Sequence, residues 1–178
     1  NVATNVGGGI YFNARNFGTQ WIIVEDCLFL ENQASAGGGF CKGRNTMSVE
    51  LSFTNCRFVR NRAVGGGSWV PYRNRNGAGG GAYFGCDGDT LVNDYLLQNC
   101  LFYENTCSGF AGGGLAVGNA RSDRFPVVNC VFVNNSALGD NSGRYGDAFI
   151  PDSTYGKFST GTLINCAFFE HDKALLYY

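Results

Sequence analysis

The chain of 178 residues is poor in charge, in proline and in long apolar runs, and each shortage excludes a class of protein. Charged residues make up only 15% of it, the net charge is −1 and no basic stripe occurs, so we expect no nucleic-acid partner. No apolar stretch approaches the roughly 20 residues that cross a bilayer, so we expect no membrane insertion by this segment. With 3 prolines beside 27 glycines, the chain is not collagen-like.

Side chains that commonly catalyse reactions are also scarce. The sequence contains a single histidine, His171, and neither a Gly-x-Ser-x-Gly nucleophile motif nor a Gly-Lys-[Ser/Thr] phosphate loop. The densest acidic spot is Asp87-Gly88-Asp89, which we interpret as a solvated turn, with a Ca²⁺ site as the alternative. We therefore predict no catalytic residues, no metal site and no cofactor.

What the sequence does contain is a ten-residue phrase that returns five times with the core [Asn/Asp]-Cys-x-Phe-x-x-[Asn/His]. The copies are Glu25–Ala34, Thr54–Ala63, Gln98–Cys107, Val128–Ala137 and Ile164–Lys173. Glycine triplets at 7–9, 37–39, 79–81 and 112–114 alternate with it. A period in this range indicates a repeat architecture, and the runs of about three to five apolar residues between turn residues are too short for helices. The pattern predicts an all-β fold, a right-handed single-stranded parallel β-helix of about five coils with three short strands each.

We expect one domain over residues 1–178. Its predicted coils cover approximately 7–36, 37–64, 79–111, 112–145 and 146–174, with an inserted loop at 65–78. Because Asn1 corresponds to Asn32 of the first phrase, and no glycine triplet follows the last phrase, we expect this segment to belong to a longer chain.

The repeated letters have structural interpretations. The Cys and Phe of each phrase are two residues apart, so both should point inward and stack from coil to coil. The polar residue before each Cys should form a corner with positive φ and hydrogen-bond along the stack. The same interpretation applies to Asn32, Asn61, Asn105 and Asn135, with His171 substituting in the fifth phrase. The predicted ladders are Cys27, Cys56, Cys100, Cys130 and Cys166; Phe29, Phe58, Phe102, Phe132 and Phe168; and Asp26, Asn55, Asn99, Asn129 and Asn165.

Three cysteines fall outside the ladder: Cys41, Cys86 and Cys107. Cys41 and Cys86 occupy nearly corresponding places in successive repeats and are the candidates for a disulfide, which favours an oxidising compartment. The sequence Asn134-Asn135-Ser136 is a candidate glycosylation site at Asn134.

The inserted loop at 65–78 is the candidate binding element. It combines aromatic and basic side chains, the residue types that dominate interface hot spots, in Trp69, Tyr72, Arg73 and Arg75. The alternative is a loop that packs on the flank of its own coil.

The pairing of Phe-x-x-Asn with a following Gly-Gly-x-[Ile/Leu/Phe] phrase resembles the repeats of the chlamydial polymorphic outer membrane proteins. The matching pairs are Phe29/Asn32, Phe58/Asn61, Phe102/Asn105 and Phe132/Asn135. The chain departs from that pattern in its third glycine and its regular cysteine. The resemblance implies a right-handed parallel β-helix on a secreted or surface-anchored protein, often an adhesive one.

Many β-helices degrade polysaccharides, and such an enzyme needs acidic or basic side chains on an exposed strand face. The predicted outward positions of the glycine-led strands carry no acid or base; they are Tyr11, Cys41, Tyr83, Ala116 and Ile150. We predict a non-catalytic extracellular or cell-surface protein that acts as a structural, assembly or adhesion module. Its expected partners are other segments or copies of the same or a related protein, a carbohydrate or a cell-surface protein. A polysaccharide-binding or polysaccharide-degrading β-helix is the alternative.

Overall fold

The structure, a computed structural model, describes residues 1–13, 20–43, 49–65, 77–84, 93–109, 112–118, 124–138, 148–152 and 160–171. Within these ranges the regular secondary structure consists of nineteen short β-strands, and every strand pairing is parallel. No helix occurs in the described residues. The all-β prediction is therefore confirmed.

The strands fall into five groups along the chain. The first group comprises β1 (Ile10–Phe12), β2 (Gln20–Glu25), β3 (Leu28–Leu30) and β4 (Gln33–Ala34). The second comprises β5 (Phe40–Lys42), β6 (Val49–Thr54), β7 (Arg57–Val59) and β8 (Arg62–Ala63). The third comprises β9 (Ala82–Phe84), β10 (Asn93–Gln98), β11 (Leu101–Tyr103) and β12 (Thr106–Cys107). The fourth comprises β13 (Leu115–Gly118), β14 (Arg124–Val128), β15 (Val131–Val133) and β16 (Ser136–Ala137), and the fifth comprises β17 (Phe149–Asp152), β18 (Thr160–Ile164) and β19 (Ala167–Phe169).

Equivalent strands of successive groups pair with one another, while strands that follow each other in sequence lie in different sheets. The first sheet has the order β1-β5-β9-β13-β17, the second β2-β6-β10-β14-β18, the third β3-β7-β11-β15-β19 and the fourth β4-β8-β12-β16. Each group is thus one coil of a parallel β-helix, as the repeats predict. The fourth strand, which the first four coils have in the described residues, was not predicted, because a two-residue strand with one polar residue has no recognisable sequence signal.

Inward side chains form a continuous core along the stack. The phenylalanines of the third sheet are in register, and their rings stack nearly parallel with centroids 4.6, 4.7, 4.7 and 5.0 Å apart. These distances match the spacing of about 4.8 Å between neighbouring strands, so coil stacking itself sets the ring stacking. Each such pair contributes about 0.5–1.5 kcal/mol beyond its buried area.

A row of buried asparagines connects the coils beside this stack. Asn105 is fully buried, and its Oδ1 accepts bonds from the backbone N–H of Asn61 (2.9 Å) and from Asn61 Nδ2 (3.0 Å). Its Nδ2 donates to the carbonyl of Phe58 (2.8 Å) and to Asn135 Oδ1 (2.9 Å). All four hydrogen bonds that an amide side chain readily makes are therefore present. Asn32, Asn61 and Asn135 are the other members of this row, which we name the buried amide ladder.

The buried amide ladder does not itself occupy the corner with positive φ. That conformation falls one residue earlier, at Glu31 (φ 52), Arg60 (φ 51), Glu104 (φ 53), Asn134 (φ 50) and Glu170 (φ 56). The prediction of positive φ for Asn32 and its equivalents is wrong by one position. The reason is that the ladder residue must turn its amide into the core, so the preceding residue makes the turn.

The glycine triplets need glycine for two distinct reasons. Gly79 has φ 66, in the left-handed region that L side chains avoid. A Cβ on Gly80 would lie 2.3 Å from the Gly113 carbonyl oxygen, and one on Gly81 would lie 2.5 Å from that of Gly114. One glycine therefore turns the chain, while the next two allow successive coils to approach closely.

We expect Asn105→Ala to lower the free energy of unfolding by about 3 kcal/mol or more, because it removes the side-chain acceptor of the buried Asn61 backbone N–H and one further bond each from Asn61 Nδ2, the Phe58 carbonyl and Asn135 Oδ1. Urea unfolding midpoints measure the loss. The matched control is Asn99→Gly, which removes exposed amide bonds but keeps a corner with positive φ, and should cost less than about 1 kcal/mol. Equal losses in the two variants would contradict this account of the buried amide ladder.

Candidate functional site

The outer surface of the third sheet is unusually apolar. Its strands have three residues and turn the middle phenylalanine inward, so the first and third residues of each strand face outward. The first outward row is Leu28, Arg57, Leu101, Val131 and Ala167, and the second is Leu30, Val59, Tyr103, Val133 and Phe169. We name these ten residues the apolar face, since nine of them are aliphatic or aromatic.

Solvent reaches this face along its whole length. Leu28, Leu30 and Phe169, at the two ends of the row, are 58%, 41% and 54% exposed. Arg57 is exposed and the remaining six residues are half-buried by their own neighbours in the rows. The outward positions of the second sheet are mixed in character: its second coil presents Glu50, Ser52 and Thr54, whereas its first coil presents Trp21, Ile23 and Glu25. A contiguous apolar surface of this kind makes this face the candidate site for contact with another surface.

One long edge of the apolar face is a row of exposed corner residues, four amides and one carboxylate. Asp26, Asn55, Asn99, Asn129 and Asn165 occupy the corner between the second and third sheets with φ between 49 and 55. Nδ2 of Asn55, Asn99 and Asn129 donates to the Oδ1 of the preceding coil's residue, at 3.1, 3.2 and 3.3 Å. The structure places these side chains in a ladder, but at the surface rather than in the core, so each Nδ2 has a second N–H for another partner. We name this row the amide edge.

The other long edge carries the second set of corner residues and is mostly acidic. It consists of Glu31, Arg60, Glu104, Asn134 and Glu170, and we name it the acidic edge. Arg60 forms an exposed ion pair with Glu31, with Nη2 2.8 Å from Oε1. A hydrogen bond from the Tyr103 hydroxyl to the Glu104 carboxylate raises the pKa of Tyr103. A left-handed backbone costs Glu or Arg about 1 kcal/mol relative to glycine, so these charges stand at positions where the backbone alone favours glycine.

The cysteine ladder lies on the inner side of the corner that bears the amide edge. Cys56, Cys100 and Cys130 are buried, Cys166 is half-buried and Cys27, on the first coil, is exposed. A hydrogen bond with Cys130 and, after it, burial raise the pKa of Cys100 to about 12. The corresponding bond with Cys100, together with burial, raises that of Cys56. The bond between Cys100 and Cys130 lowers the pKa of Cys130, because the Cys130 sulfur accepts it.

The disulfide candidate and the outward positions of the first sheet differ from expectation. Cys41 is a free thiol, buried in a small cluster with Ala36, Ala78, Tyr83 and Ala116, and its neighbours in register are tyrosines. Burial raises the pKa of this thiol strongly. The structure thus has no bridge at Cys41, while Cys86 lies outside the described residues. The outer side of the first sheet, predicted to face solvent, is closed at Cys41, Tyr83 and Ala116 because the residues beside the glycine turns pack over it.

Some of the other predicted residues lie outside the described part of the chain. These are the binding-loop residues Trp69, Tyr72, Arg73 and Arg75 and the acidic pair Asp87 and Asp89. Asn134, the glycosylation candidate, has an exposed side chain on the acidic edge. Cys107 takes the place of the small residues Ala34, Ala63 and Ala137 in the fourth sheet.

His171 replaces asparagine at the end of the buried amide ladder. Its Nδ1 lies 3.1 Å from the Asn135 carbonyl oxygen and its Nε2 lies 3.3 Å from that of Phe132. The amide of Asn135 makes the equivalent bond to the carbonyl of Phe102 at 2.9 Å. His171 therefore caps carbonyl groups of the preceding coil, which is a structural role.

Sequence reasoning missed Lys42. This lysine is in register with Phe12 and Phe84, points into the coil and is fully buried, with Nζ 5.5 Å from the ring centroid of Tyr95. The sequence did indicate its orientation, because Lys42 lies two residues after the inward Phe40 and alternate residues of a strand face the same side. A cation over an aromatic ring offsets part of the cost of burying its charge.

Comparisons with known proteins give no match to this chain, whether with family models, curated proteins or solved structures. The resemblance to polymorphic outer membrane proteins therefore stays a prediction. Among the described residues, no three His, Cys, Asp or Glu side chains gather as metal ligands. In the same part of the chain, a search for a helix that could span a membrane finds none.

The burial of the ladder predicts which thiols react. In the folded protein at about pH 8, we expect iodoacetamide to label Cys27 far faster than Cys56 or Cys100, because Cys27 is exposed whereas the other two are buried. The pKa of all three thiols is raised, so exposure decides the order. Peptide mass spectrometry after timed labelling measures the rates, with urea-unfolded protein as the reference. Labelling of Cys100 at the unfolded rate would contradict the buried stack.

Proposed function

We propose that this β-helix is a non-catalytic module of an extracellular or cell-surface protein and that it acts in structure, assembly or adhesion by binding another protein through the apolar face. The observation that carries the proposal is the composition of that face, where nine of ten outward residues are aliphatic or aromatic. Burying such residues against a partner yields roughly 25 cal/mol per Å² of apolar area, and leaving them in water forgoes that stabilisation.

The two polar edges favour a protein over other partners. The acidic edge repels phosphate groups, so it disfavours nucleic acid and anionic lipid surfaces. A sugar ring stacks on aromatic side chains, and the middle of the face has one, Tyr103, among the aliphatic residues Leu101, Val131 and Val133. A mainly aliphatic centre with hydrogen-bonding groups along both sides is the usual anatomy of a protein interface.

The proposed location rests on one expectation from the sequence: the resemblance to surface proteins with Phe-x-x-Asn repeats implies a secreted or surface-anchored chain. The proposed structural role rests on the regular stack of sheet faces, which suits an extended element. Enzymatic action on polysaccharides is the competing function, so the test below includes an outcome for it.

Site-specific photocross-linking tests the proposal. A benzoylphenylalanine at Val131, in the centre of the apolar face, should form adducts of protein mass when cells that produce the protein are irradiated. The control places the same photoreactive residue at Leu96, an outward, half-buried residue of the second sheet in the same region of the stack. Equal adducts from both positions, or none from Val131, would overturn the proposal. Turnover of a polysaccharide by the purified protein would favour the competing function.

A further inference from the structure

The chemistry of the apolar face and of its two edges indicates which protein binds there. We infer that the occupant is a second copy of this chain, packed face to face with its coils parallel to those of the first copy, so that the amide edge of each copy meets the acidic edge of the other. This inference rests on the proposed function, since it names the protein that the apolar face binds. The register of the coils and the charges on the two edges carry it.

If the strands of the two copies stay aligned, two arrangements place the apolar face of one copy on that of the other with two-fold symmetry. In the first, the symmetry axis runs along the stack, so each coil faces the same coil of the second copy. In the second, the axis runs along the strands, so the first coil faces the fifth. The first arrangement sets the amide edge against the acidic edge, whereas the second sets each edge against itself in reverse order.

The charges favour the axis along the stack. In that arrangement the Glu104 carboxylate meets the amide of Asn99 in the second copy, and Glu170 meets Asn165, so amide donors face acceptors. The remaining N–H of each exposed amide supplies the donor. Among the edge residues, like charges meet only where Glu31 faces Asp26, a contact that the two-fold axis makes twice, and Glu31 is already bound to Arg60.

The axis along the strands gives an unfavourable pattern. Glu104 would face Glu104 of the second copy, and Glu31 would face Glu170 twice, once at each end. Like charges brought together at an interface cost energy and suppress that orientation. The acidic edge thereby selects one of the two possible pairings.

The side chains of the apolar face also fit the first arrangement. The first outward row of one copy then lies on the second outward row of the other, so the smallest residue, Ala167, faces the large Phe169. Arg57 is the one charged residue of the face, and it faces Val59 of the second copy. Arg60 of that copy lies beside Val59 on the same coil, and Glu31 and Glu104 lie on the adjacent coils, each about 4.8 Å along the stack. The long guanidinium side chain of Arg57 thus has two carboxylates, as well as one like charge, within reach.

The size of the face predicts a weak pair for this chain alone. Five strands at about 4.8 Å, with three residues and two corners across each, bury on the order of 1,000 Å² in total when two copies meet. Interfaces of that size lie at the low end of specific association. We therefore expect a dissociation constant on the order of 100 µM.

Sedimentation equilibrium from about 1 µM to about 1 mM tests the inference. The wild-type protein should shift from monomer to dimer over this range. Leu101→Asp, which places a charge opposite Tyr103 and Glu104 of the second copy, should weaken dimerisation at least tenfold. The control Leu96→Asp makes the same substitution on the second sheet and should dimerise like the wild type. Thermal unfolding of both variants shows that they are folded.

Cross-linking tests the direction of the axis. In a Cys27→Ser background, a mixture of Leu28→Cys and Leu30→Cys proteins should join through a short bismaleimide, since these positions face each other across the ~10 Å between packed sheets. A mixture of Leu30→Cys and Phe169→Cys should not join, because the first and fifth coils then lie at opposite ends. Joining of the second mixture and not the first would overturn the arrangement.

The outcomes separate this inference from the proposed function. A wild-type protein that remains monomeric to about 1 mM, while Val131 still cross-links to protein in cells, overturns the second copy as partner and leaves the proposed function standing. A monomer without any protein adduct from Val131 overturns both. A dimer that Leu101→Asp and Leu96→Asp weaken equally places the contact elsewhere and also overturns the inference.

Discussion

The buried amide ladder is the interaction on which the rest of the structure depends. Asn61, Asn105 and Asn135 each bind the backbone and the amide of a neighbouring coil, and they do so where no water reaches. A parallel sheet of short strands has few bonds of its own per coil, so a slip in register would cost little locally. The ladder makes such a slip costly, since it would leave several buried polar groups without partners at once.

Constant register converts positions in the repeat into rows on the surface. Every outward residue of the third sheet lies beside its equivalents in other coils, so a preference for Leu or Val at one position becomes a continuous apolar surface. The same effect turns single corner residues into the amide edge and the acidic edge. The apolar face is therefore a product of repetition, and under the proposed function the repeated residues include binding positions as well as those that build the scaffold.

Much of the fold could be predicted from individual residues. The spacing of Cys and Phe in each phrase indicated two inward side chains, and the glycine triplets indicated a turn with close coil contact. The position of the second corner could not be predicted, because Glu31 and Arg60 are not residues that usually adopt positive φ. Lys42 was missed because a lysine inside a coil contradicts the ordinary pattern of burial. The apolar face was not predicted, because the outward residues of the third sheet vary in type while remaining mostly apolar.

The sequence by itself determined the coil, its inward residues and its turns, because these depend on alternation and on local backbone preference, which act over a few residues. The tertiary structure decided which distant residues share a surface. Equivalent ladder residues are separated by 29, 44 and 30 positions, and only the hydrogen bonds between coils bring them to one register despite these unequal lengths. The apolar face and its two edges exist only through that register, because side chains in water have no means of aligning across loops of different length.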